Sequence, residues 1–157
     1  MNYLHERELP LEQMMPLIKE RLSEGGSVKI SPKGISMLPM LRQGKDSVVL
    51  SPLPGRLNKY DLPLYQRNDG KYILHRIIRV DNNYTCMGDN QLSAERVEHS
   101  QLIAYVTAFY RGEKLYSVKN PVYRFYCLVW CNNIKLRRFV FRGKNWIIRH
   151  FRNNKNI

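Results

Sequence analysis

The spacing of apolar residues changes twice along this chain. Over residues 15–24, MPLIKERLSE, the apolar Leu17, Ile18 and Leu22 recur at helical spacing and Pro16 takes a first-turn position. This predicts a short helix stopped by Gly25-Gly26. From Ser27 to Val118 the period becomes that of strands: SVKIS, DSVVL, LPLYQ, KYILHRIIRV, NYTCM, QLIAYVTAFY and KLYSV are short runs rich in β-branched and aromatic residues. Gly, Pro, Asn and Asp clusters separate them, and Asn68-Asp69-Gly70 has the positive-φ tolerance that a tight hairpin needs. Beyond Asn120 the helical period returns. Asn120-Pro121 reads as a cap and a first-turn proline, opening a helix of about 21 residues that Gly143 closes.

At 100° per residue, Arg124, Lys135, Arg138 and Arg142 fall near one line of that helix, opposite Val122, Phe125, Val129, Leu136 and Val140. A second amphipathic piece sets Trp146, Ile147, Ile148 and Phe151 among Arg149, His150 and Arg152. Three segments follow: residues 1–26 with the short helix, a β domain over 27–118, and a basic helical tail over 119–157.

Charge sharpens this division. Lys and Arg number 26 against 13 Asp and Glu, a net +13, of which residues 119–157 carry +10 with no acid. The β portion is electrically ordinary, so the basic character belongs to the tail. Its aromatics alternate with charge at helical spacing, which argues against nucleic-acid binding, where exposed stacking platforms are expected. Two arrangements remain for the tail: basic face toward an anionic bilayer, or apolar face packed on the β domain. The three cysteines exclude a disulfide framework and suggest a reducing compartment. Cys127 and Cys131 share a helix face without a His or second pair at ligand spacing, which points to packing and no metal. MNYLHERELP has no apolar core of a signal peptide, and the tail's longest apolar run, Phe125 to Cys131, is too short to span.

Three segments carry chemistry. In Gly34-Ile35-Ser36-Met37-Leu38-Pro39 the serine sits on a constrained bend, which can hold a hydroxyl clear of the backbone ladder and free N–H groups for an oxyanion, or can bury it as an ordinary turn serine. His75 lies amid apolar neighbours in YILHRII, as a packed core residue or as a base. Gly88-Asp89-Asn90 reads as a turn, with Glu95 six residues beyond Asp89.

In this order, GISMLPML, YILHRIIRV and MGDNQ resemble the LexA/signal-peptidase superfamily of serine peptidases, over about residues 27–118. The endoplasmic-reticulum and archaeal branch carries His where other branches carry Lys. The resemblance implies a mainly β fold of that family's coiled type, Ser36 as nucleophile and His75 as general base. It places Glu95 where that branch has an Asp to complete the set, with Asp89 as the competing acid. It also implies an oxyanion hole from the Ser36 N–H and an amide near Gly34. The family has Gly before the Asp of its third strand, and here Tyr60 precedes Asp61.

A His base begins near pKa 6.5 and needs only an acceptor on its other nitrogen, whereas a Lys must be desolvated far from 10.4. The expected activity is cofactor-free cleavage of a polypeptide, such as a leader peptide, by a Ser-His pair assisted by an acid. The alternative is a catalytically silent peptide- or membrane-binding module. A cytoplasmic protein resting on the membrane through Arg124, Lys135, Arg138 and Arg142 is expected. Asp89 is expected to hold its turn by accepting backbone N–H bonds.

Overall fold

The computed structural model describes the backbone of residues 10–153 and the side chains of residues 10–143. The first helix, α1 (Leu11–Ser23), starts a turn earlier than the sequence suggests. Pro10 stands at its N-cap and Pro16 lies inside it, so Met15, Ile18 and Leu22 face the core while Leu17 is exposed. Gly25, at φ 77°, ends it as expected.

Among the described residues nine antiparallel strands follow: β1 (Val28–Ile30), β2 (Asp46–Ser51), β3 (Pro63–Gln66), β4 (Tyr72–Leu74), β5 (Arg76–Val80), β6 (Tyr84–Met87), β7 (Glu95–Val97), β8 (Leu102–Arg111) and β9 (Lys114–Ser117). One sheet runs β1-β2-β8-β3-β4, with β9 also on β8; the other runs β5-β6-β7. The β3–β4 hairpin turns at Asn68-Asp69-Gly70 as the sequence predicts, with Gly70 at φ 85°. The run KYILHRIIRV is not one strand. It breaks at His75, with β4 in the first sheet and β5 in the second, so this residue occupies the crossing point between them. Tyr60 takes the φ of 81° that a glycine adopts freely, and its carbonyl accepts from Arg76 Nη1 at 3.1 Å.

The tail departs most from expectation. Asn120 caps α2 (Pro121–Tyr126), its side chain accepting from the Val122 and Tyr123 N–H groups. A π-helical turn (Cys127–Cys131) follows, and α3 (Ile134–Asn153) begins after Asn132-Asn133. Gly143 therefore does not close the helix, and the wheel that aligns Arg124 with Lys135, Arg138 and Arg142 is broken between them, because a π turn and a break shift the angular phase. The second amphipathic piece lies in α3, but its side chains, like residues 1–9, lie outside the described residues.

The face that packs inward is neither of those the wheel draws. Tyr123, Cys127 and Cys131 join the main core with Met15, Ile18, Met40 and Phe109, and Arg137 is buried as well. Val122 (77% exposed) and Phe125 (66%) point away from the domain, with Leu128 and Val129 also exposed. No helix among the described residues is long and apolar enough to cross a membrane.

Candidate active site

Ser36 lies in the irregular bend between β1 and β2, and His75 at the junction of β4 and β5. Both line one small cleft of about 80 Å³, walled by Met37, Leu41, Tyr72 and Leu74. The sequence places the two residues far apart, and the crossing of the two sheets brings them together.

The turn after β6 grips the serine from behind. The Asn90 N–H donates to the Ser36 carbonyl at 2.7 Å, and Asn90 Nδ2 to the Ile35 carbonyl at 3.0 Å. A Cβ on Gly88 would lie 2.6 Å from the Ser36 carbonyl oxygen, so only glycine admits this approach. Among the described residues the Ser36 N–H and hydroxyl have no hydrogen-bond partner. The Gly34 N–H, expected in the neighbourhood of the oxyanion hole, instead donates to Gln43 Oε1 at 3.0 Å. Of this pair, Ser36 alone keeps an amide free.

His75 is 3% exposed. Its Nδ1 stands 3.2 Å from Glu95 Oε1 and 3.2 Å from the Tyr65 hydroxyl, which itself donates to Glu95 Oε1 at 2.6 Å. Acceptors crowded at Nδ1 favour the tautomer with the proton there, leaving Nε2 able to take one. Burial moves the His75 pKa below its ordinary value, against the pull of Glu95. Burial also pushes the Tyr65 hydroxyl up, helped by its bond to Glu95, so Tyr65 stays protonated and donating.

Glu95 opens β7, a strand absent from the sequence reading because three residues flanked by charge give no period. Arg67 holds it by both oxygens, Nε to Oε2 at 2.6 Å and Nη2 to Oε1 at 2.6 Å. Burial would raise its pKa, but the hydrogen bonds from Arg67 and Tyr65 outweigh that and bring it below the usual value. Neither Tyr65 nor Arg67 was singled out from the sequence. A signal existed: the hairpin at 68–70 pairs Tyr65 with Ile73, and alternation then puts Tyr65, Arg67, Ile73 and His75 on one face.

Asp89 makes no hydrogen bond to His75. It accepts from Arg76 Nε at 2.8 Å and Nη2 at 2.7 Å, and from the Tyr126 hydroxyl at 3.0 Å. The expectation that it caps backbone N–H groups fails because a buried guanidinium offers stronger, charge-assisted donors. Arg76 also donates to the Tyr123 hydroxyl at 2.6 Å and the Cys127 sulfur at 3.2 Å. Trp130 Nε1 reaches the Asp89 carbonyl, and Arg137 Nη1 the Gly88 and Gln91 carbonyls. The tail thus closes directly over the turn that grips Ser36. No protein-family model and no curated protein matches the chain.

Proposed function

We propose that this protein is a serine endopeptidase of the LexA/signal-peptidase type, in its His-based branch. The observation that carries the reading is the setting of His75: an acid and a tyrosine close one side of the imidazole at Nδ1, and the ring lines one cleft with Ser36, a serine whose backbone is clamped. In the mechanism, Ser36 Oγ attacks the scissile carbonyl and His75 Nε2 takes its proton. The oxyanion receives the Ser36 N–H. Collapse expels the amine, which leaves with the proton from His75, and water then hydrolyses the acyl ester by the same route in reverse. General base catalysis of this kind contributes about 10²–10⁴-fold, and each oxyanion donor about 10²–10³-fold. The cleft is small and walled by apolar side chains, which suits a small residue before the cut.

The test is a mixed peptide library digested by the full chain and read by mass spectrometry. Cleavage is expected from the native protein and lost in Ser36→Ala and in His75→Ala, with the double variant little worse. Retained cleavage in Ser36→Ala would overturn the assignment, and retention of peptides without any cleavage would favour a silent binding module.

The same reading places the protein on an anionic membrane surface. Its support is the outward apolar arc of Val122, Phe125, Leu128 and Val129, with Arg124, Lys135, Arg138 and Arg142 also exposed along the tail. Co-sedimentation with vesicles rich in anionic lipid should fall several-fold in Val122→Ser/Phe125→Ser. Equal binding by that variant would show that the arc is not the contact.

A further inference from the structure

Two of the charged side chains around His75 have assigned parts: Glu95 orients it and Asp89 is sealed in its own ion pair. Arg67 has none. Its backbone is fixed by the hairpin, where its N–H donates to Lys71 O at 2.9 Å and its carbonyl accepts from the Gly70 N–H at 2.9 Å. From there the guanidinium takes both oxygens of Glu95. A carboxylate offers about four acceptor positions. Arg67 takes one on each oxygen, and Oε1, which also accepts from the Tyr65 hydroxyl, is the oxygen held 3.2 Å from His75 Nδ1. The pair keeps partial contact with solvent, the two side chains 36% and 28% exposed. Its geometry bears on the histidine.

We propose that Arg67 is a positioning residue for the reaction above: it locks the Glu95 carboxylate in the orientation that reaches His75 Nδ1 and shares its negative charge, keeping the imidazole neutral and able to accept the serine proton. This rests on the peptidase reading.

The charged and titratable groups facing His75 are Glu95 on β7, Arg67 beyond β3, Tyr65 on β3, and Asp89 with its partner Arg76. Glu95 and Asp89 favour a charged ring, while Arg67 and burial favour a neutral one. Asp89 is already neutralised by Arg76 at 2.7 Å, so the balance turns on the Arg67–Glu95 pair. Without Arg67 an uncompensated carboxylate would face Nδ1, the doubly protonated ring would persist to higher pH, and the carboxylate could rotate away.

The experiment follows His75 by NMR titration alongside the pH profile of kcat/KM in the full chain. In Arg67→Met the His75 midpoint should rise by about half to one pH unit. The acid limb of kcat/KM should move by the same amount, so that activity falls more at pH 6 than at pH 8. Arg67→Lys keeps the charge and loses the fork: its midpoint should return close to native while kcat stays about tenfold or more below it. In a Glu95→Gln background, Arg67→Met should hardly move His75. Melting curves identify a variant that is merely unfolded, in which case Arg67→Lys and the Glu95→Gln pair carry the decision. A native His75 midpoint in folded Arg67→Met, in a protein that cleaves peptides, would overturn the role of Arg67 alone. A shifted midpoint in a protein that cleaves nothing would remove the peptidase reading, and this role with it.

Discussion

Glu95 and Asp89 lie six residues apart, each held at both oxygens by an arginine, yet their surroundings differ in nearly every respect. Asp89 and Arg76 are wholly sealed, 0% exposed, with the tyrosine hydroxyls of α2 completing the cage. Taking two charges out of water is expensive, and the pair holds because the guanidinium and the carboxylate find partners on every side. Glu95 and Arg67 stay in contact with solvent, and Oε1 of the carboxylate also stands 3.2 Å from the imidazole Nδ1. A sealed pair acts as a fastener, joining β5, the Gly88-Asp89-Asn90 turn and the tail. A half-open pair can respond to the protonation of a neighbour, which is what the role proposed for Glu95 requires.

The largest way to break the comparison is Asp89→Ala. It leaves the Arg76 charge buried without its partner, which should cost about 3–5 kcal/mol. The melting temperature should fall by about 10 °C or more by calorimetry. Loss of peptidase activity without loss of stability would instead give Asp89 the catalytic part. Glu95→Gln should do the reverse: kcat/KM falling about 10²–10⁴-fold with the melting temperature changed by only a degree or two, since the amide keeps the shape but not the charge that steadies the imidazolium.

The smallest effect is in pH. His75 has a folded pKa below its unfolded value, so between the two the unfolded chain binds more protons and stability rises with pH. This contribution is complete above about pH 6.5 and is lost as pH falls toward the folded pKa. Glu95, also depressed, adds a loss only below the ordinary carboxylate range, near pH 4.3. A series of melts from pH 7.5 to 5 should slope downward for the native protein and flatten in His75→Gln. A native slope in that variant would mean that other groups govern it.

Some of this was legible before any fold was known. The hairpin at Asn68-Asp69-Gly70 came from local turn chemistry, and the strand periods marked seven runs that hold eight of the nine strands described, β4 and β5 both lying in KYILHRIIRV and β7 alone missed. Ser36, His75 and two competing acids, Glu95 and Asp89, came from an ordered spacing that carries a family resemblance; in the fold Ser36 and His75 share a cleft and Glu95, not Asp89, meets His75 Nδ1. The inward face of the tail was misread, because a wheel scores hydrophobicity and the stripe that docks is Tyr123, Cys127, Trp130, Cys131 and Arg137. Those residues pack through hydroxyl, indole and guanidinium bonds to a buried ion pair, while the more hydrophobic Val122 and Phe125 stay outside.

Local sequence determined what depends on neighbours along the chain: where strands alternate, where glycine permits a turn, where Asn120 caps a helix. It also placed glycine at 88, although the reason, the Ser36 carbonyl pressed against that backbone, lies 52 positions away. Only the tertiary structure decided which carboxylate meets the histidine. Asp89 is nearer to His75 in sequence, but Arg76 captures it first, because adjacent strand residues point to opposite faces and the one after His75 looks into the tail. Glu95 reaches the imidazole from a third strand, in a place that no local period could assign.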